Sequence, residues 1–133
     1  MVALGLVVAE FNGDITEEME AAARDRAAAL DVDLVETYHV PGAYDTPLAA
    51  DRLARRDDID AVVVLGAIKS GDTDHDQVIG QSTAKSLQDV SREYDLPVAM
   101  GITGPGMSLD EARARTDYGA TTVESAVDML SEL

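Results

Sequence analysis

The sequence predicts an α/β fold, a three-layer α/β/α sandwich built on four parallel strands. Two observations carry this. Four short apolar runs alternate with longer amphipathic segments, the order expected of strands joined by crossover helices. Three of the runs are apolar almost throughout, as strands buried on both faces are. A chain of 133 residues suffices for about one domain with a single core, so residues 1–133 are read as one unit.

The predicted strands are Ala3 to Ala9, Val32 to Val40, Ala61 to Ala67 and Pro97 to Ile102. The second alternates apolar residues with Asp33, Glu36 and His39 and therefore suits an edge. The first helix is expected to start at Asp14, whose carboxylate would cap the free amides with Glu17 three residues on. Ile15, Met19, Ala23, Ala27 and Leu30 then form its packing stripe. The second helix is placed from Tyr44 or Pro47 to Arg56, with Leu48 and Leu53 inward. The third, about Asp76 to Tyr94, carries Ile79, Thr83, Leu87, Val90 and Tyr94 at helical spacing. Ser108-Leu109-Asp110-Glu111 is a capping box that opens the last helical region. After a break expected near Gly119 it continues with Val123, Val127, Met129 and Leu130, two stripes that suggest burial on two sides. Right-handed crossovers between such units give a flavodoxin-like sheet, whose ligands gather at the carboxyl ends of the strands.

Composition narrows the function. Twenty-six acidic residues against 10 basic ones give a formal net charge of −16, which repels nucleic acid and anionic membranes. The acids are spread along the chain, 17 of them aspartates, and read as a solvated shell suited to a salty cytoplasm. Self-repulsion of this size is relieved as the Debye length shrinks to about 3 Å at 1 M salt. Thermal unfolding should therefore move to higher temperature with added KCl; a fall would contradict the salt-loving reading. No apolar run is long enough to span a bilayer. The absence of cysteine removes disulfides, thiol nucleophiles and thiolate metal sites.

The four strand ends carry the chemistry. Phe11, the only phenylalanine, stands in the turn Glu10-Phe11-Asn12-Gly13 and could stack on a planar ring or staple the first helix. Gly71-Asp72-Thr73 precedes a helix, where amides and a hydroxyl could hold a phosphate or merely cap. His75 could move a proton near neutral pH, although an isolated histidine is more often structural. Arg115 offers a fork for a phosphate dianion, or pairs on the surface with Asp110 or Glu111. The acidic cluster Asp72, Asp74, His75 and Asp76 is better explained as a solvated helix start than as a metal site.

Together these loops resemble lumazine synthase in order and spacing. The matching stretches are Ala9-Glu10-Phe11-Asn12, Val40-Pro41-Gly42-Ala43-Tyr44-Asp45-Thr46-Pro47, Leu65 through Asp76 with Gly71-Asp72-Thr73-Asp74-His75, and Gly101-Ile102-Thr103-Gly104-Pro105-Gly106-Met107. Gly104-Pro105-Gly106-Met107 and Asp117-Tyr118-Gly119 look like the archaeal branch of that family. The resemblance implies condensation of 5-amino-6-(D-ribitylamino)uracil with 3,4-dihydroxy-2-butanone 4-phosphate, without a cofactor. It also implies roles. Phe11 would stack on the pyrimidine, while Ala43, Tyr44 and Asp45 hold the uracil and ribityl group. The backbone of Ala67, Ile68 and Lys69 would read the pyrimidine edge. Asp72, Thr73 and Arg115 would bind the phosphate, and His75 would give and take protons. It implies homo-oligomers, pentamers that in some relatives pack into icosahedral shells, with Met100 and Arg115 facing the neighbour's Phe11 and His75.

Three departures from the family pattern stand out. Met100 replaces a phenylalanine, Asp72 replaces a glutamate or alanine, and no lysine lies between Thr116 and Thr122. Rival readings fit less well. An archaeal-type riboflavin synthase is disfavoured by the Phe11-Asn12 pair and the Gly-Asp-Thr-Asp-His run. A flavodoxin-like FMN-binding module needs a hydroxyl-rich loop after the first strand, and Glu10 to Gly13 has none. A receiver domain needs clustered aspartates there.

Overall fold

The computed structural model describes residues 1–71 and 73–133. Its strands β1 (Ala3–Ala9), β2 (Asp33–Val40), β3 (Ala61–Ala67) and β4 (Val98–Thr103) form one parallel sheet in the order β2-β1-β3-β4. The helices are α1 (Gly13–Ala29), α2 (Thr46–Ala54), α3 (His75–Tyr94), α4 (Leu109–Arg113) and α5 (Tyr118–Glu132), with a 3-10 turn at Ala43–Asp45. The expected three-layer sandwich is therefore present.

Alternation along the strands divides the core between the two faces of the sheet. Val63 and Leu65 of β3 join Leu4, Leu6, Ile15, Met19, Val123 and Ala126 beneath α1 and α5. Val62 and Val64 face the other way and join Leu53, Leu87, Val90 and Ile102 beneath α2 and α3. Both central strands are apolar on both faces, as burial under two helical layers requires.

Several local expectations are corrected. Asp14 does not cap α1: the cap position is Asn12, in the left-handed conformation at φ 61°, and its side chain is turned elsewhere. Asp14 instead pairs with Arg113 at 2.7 Å, tying α4 to the start of α1. The guanidinium hydrogen bond holds the Asp14 carboxyl below the usual carboxylate range. Leu30 falls at the end of α1 and is exposed, and Leu48 is 64% exposed because only Ala49, Ala50, Leu53 and Ala54 face the sheet. β4 is not covered on both faces. It is the second edge, half-buried at Val98 and Ala99 and 46% exposed at Met100.

The helical break lies at residues 114–117, before Gly119. Gly119 is inside α5 and buried against the Met19 backbone, and a side chain there would strike the Met19 carbonyl. Glycine at this position permits the close packing of α5 on α1. The Ser108 capping box is formed, with Glu111 N–H donating to Ser108 Oγ at 3.1 Å and Ser108 N–H to Glu111 Oε1 at 3.2 Å. On α5, Val123 and Ala126 are buried while Tyr118 and Met129 stay exposed. Among the described residues, no helix is long and apolar enough to cross a membrane.

Candidate active site

Parallel strands deliver all their carboxyl ends to one edge of the sheet, and a cavity of about 220 Å³ opens there. Its walls come from the ends of β1, β2 and β3 and from the first turns of α3. Phe11 and Asn12 follow β1; Gly42, Ala43, Tyr44 and Asp45 follow β2; Ala67, Ile68 and Lys69 end β3; His75 and Ile79 belong to α3. Eight of the residues singled out in the sequence, Phe11, Ala43, Tyr44, Asp45, Ala67, Ile68, Lys69 and His75, thus share one cavity.

The Phe11 ring is 68% exposed, which is costly for an aromatic side chain unless something covers it. It lies over Gly42, where an added Cβ would come within 2.7 Å of the ring. Gly42→Ala should therefore push the ring aside and raise the KM for a planar substrate several-fold while sparing turnover at saturation. Steady-state kinetics checks this, and an unchanged KM would contradict a stacking role for Phe11.

Hydrogen bonds fix the walls around this ring. Asn12 Nδ2 donates to the Ala67 carbonyl at 2.9 Å, locking the β1 turn to the end of β3. The side chain of this left-handed residue thus spans the sheet instead of capping its own helix. Gly42 N–H donates to Asp45 Oδ2 at 3.0 Å, which shapes the turn after β2 and commits one Asp45 oxygen. Thr46 Oγ1 donates to the Ala43 carbonyl at 2.7 Å. Ile68 N–H is taken by the Thr103 carbonyl at 2.8 Å, which joins the end of β3 to the end of β4.

The expected phosphate loop is partly described. Thr73 is exposed, and its Oγ1 accepts the His75 N–H at 3.3 Å, leaving the hydroxyl proton free to donate to an anion. Asp72 lies outside the described residues. Asp76, read in the sequence as part of a solvated helix start, is instead only 7% exposed, and its Oδ2 accepts the Gly106 N–H at 2.9 Å.

Three predicted residues, Thr73, Met100 and Arg115, do not line this cavity within one chain. Arg115 follows α4, where its Nη1 donates to the Glu111 carbonyl at 2.7 Å; the expected ion pairing with Asp110 is made by Arg113 instead. Met100 lies on the exposed half of β4, in a larger groove of about 450 Å³ shared with Tyr118 and Met129. That groove holds no histidine and no arginine, so the smaller cavity is the chemically equipped one. Asn12, Gly42 and Ile79 complete the smaller cavity; for Asn12 the signal was its place beside Phe11 at a strand end.

The chain matches the family described as 6,7-dimethyl-8-ribityllumazine synthase over residues 1–133. It is 65% identical over 133 residues to the 6,7-dimethyl-8-ribityllumazine synthase of Halobacterium salinarum, covering 100% of both chains. It is 59% identical to that of Halorubrum lacusprofundi, covering 100% of this chain and 99% of the relative. With that of Methanoculleus marisnigri it shares 51% identity over 132 residues, 99% of this chain and 98% of the relative.

Proposed function

Because the chain belongs to the 6,7-dimethyl-8-ribityllumazine synthase family, we propose that the cavity between Phe11 and His75 is where its two substrates meet. The protein is a transferase of riboflavin biosynthesis. It condenses 5-amino-6-(D-ribitylamino)uracil with 3,4-dihydroxy-2-butanone 4-phosphate to give 6,7-dimethyl-8-ribityllumazine, phosphate and water.

The observation that carries the assignment of the site is the convergence of an exposed aromatic face and an imidazole on one cavity. In this reading the pyrimidine stacks on Phe11. Lys69 and the Ile68 carbonyl meet the pyrimidine edge, with Ala67 holding the strand end in place through Asn12. Ala43, Tyr44 and Asp45 bound the uracil and ribityl side. The substrate amine attacks the ketone to form an imine with loss of one water, phosphate is eliminated, and the second nitrogen closes the ring on the carbonyl that elimination unmasks, with loss of a second water. His75 passes the protons these steps require. Holding both reactants in register is worth about 7 to 11 kcal/mol in well-oriented systems, so positioning carries much of the rate.

The phosphate of the second substrate is assigned to Thr73, Arg115 and Asp72. Met100 and Arg115 do not line the cavity of their own chain, which supports a site completed by a neighbouring subunit. The exposed half of β4 and the outer face of α5, with Met100, Tyr118 and Met129, supply an apolar surface for such an assembly, read as a pentamer in the cytoplasm.

Purified protein mixed in molar KCl with both substrates should release phosphate and fluorescent lumazine in equal amounts. Silence in both signals, at high and at low salt, would overturn the assignment. Shared sites have their own test. His75→Ala and Arg115→Ala subunits, each impaired alone, should regain activity when refolded together, and a mixture no better than its components would refute sharing.

A further inference from the structure

We infer that Asp76 is a positioning residue that holds the His75 imidazole at the cavity by fastening the first turn of α3 to the loop after β4. The inference rests on the proton-transfer role proposed for His75. Asp76 does not line the cavity, so whatever it contributes passes through its neighbours.

The buried Asp76 carboxylate needs a compensating partner, because burying a polar group without one is costly. Its Oδ2 finds the Gly106 N–H at 2.9 Å, across 30 residues of sequence. The loop that supplies this donor is itself held. The Met107 carbonyl accepts from Ser70 N–H at 2.8 Å, and the Pro105 ring sits directly over Gly80 of α3. A carboxylate in the first turn is also favoured by the helix dipole.

Local sequence, in contrast, restrains His75 little. The cap residue Asp74 makes no side-chain cap hydrogen bond, and the His75 N–H reaches Thr73 only at 3.3 Å. Thr73, Asp74 and His75 are all exposed. Asp76 is thus the side chain in this turn that ties it to structure fixed elsewhere. A displacement of about 1 Å in a reacting group can cost on the order of a hundredfold in rate, so such a tie has catalytic weight.

Asp76→Ala should lower kcat about tenfold with the KM for the aminouracil within about twofold of the original. Asp76→Asn, whose carbonyl oxygen can accept the same N–H, should restore most of the loss. Asp76→Ser, too short to reach Gly106, replaces the alanine variant if that one fails to fold. In a double-mutant cycle, removing Asp76 from the His75→Ala protein should cost nothing further. Equal losses on both backgrounds would overturn the inference.

The chain has only two histidines, so ring signals of labelled protein are easily told apart. Loss of Asp76 should move or broaden those of His75 and spare His39, which pairs with Glu20 at 2.8 Å. Unmoved His75 signals would refute the positioning role. Wild-type turnover in His75→Ala would instead remove the histidine from the chemistry, while the ring signals still report whether Asp76 holds it.

Discussion

His75→Ala is expected to lower kcat about a hundredfold while the KM for each substrate stays within about twofold. General acid and base catalysis contributes roughly that factor, and a group that acts only on protons in flight adds little to ground-state binding. The imidazole is exposed on the cavity wall, so its loss opens no hole in the core. Thermal unfolding should accordingly be unchanged. Single-turnover measurement of lumazine formation checks the rate, and an unaffected rate removes His75 from the mechanism.

Arg115→Ala is expected to raise the KM for the butanone phosphate about tenfold to a hundredfold, because hydrogen bonds to charged groups contribute about 1.5–3 kcal/mol. The aminouracil KM should hardly move. Arg115 donates one bond to the Glu111 carbonyl at 2.7 Å, which steadies the guanidinium and leaves its other nitrogens for the ligand. Lysine should substitute poorly, since it lacks the planar fork. The reverse pattern, a pyrimidine defect with normal phosphate affinity, would contradict the assignment.

That eight of the candidate residues line one cavity was legible because parallel strands end at a common edge, and the residues there follow directly in sequence from clearly apolar runs. β1 and β3 are covered on both faces, and their limits agree with the apolar pattern to the residue. β4 shows where that logic fails: Val98, Ala99 and Met100 read as buried, yet they form an edge whose covering is absent within one chain. Met100 and Arg115 likewise lie away from the cavity of their own chain, and their place beside a neighbour was expected only from the resemblance, since contact beyond one chain leaves no periodic trace.

Other misreadings came from side chains with two available partners. Asp14 stands where a cap belongs, but Asn12 takes the cap position in a left-handed turn and Arg113 captures the carboxylate. Asp76 sits in a run of acids that looks solvated, and only the fold brings Gly106 to it. Leu48 follows helical spacing, but the short α2 turns a face of alanines and Leu53 to the sheet.

The bond from Asn12 to Ala67 joins residues 55 apart in sequence, and Phe11 meets Gly42 across a whole strand and helix. No short contiguous stretch of the chain contains this cavity, whose lining runs from Phe11 to Ile79. Loop closure of that length is an entropic cost met before any contact rewards it, and parallel pairing of this kind forms slowly. The cavity is consequently a late product of folding. A nascent or partly denatured chain can have its helices in place and still lack this cavity, so its presence requires the assembled sheet.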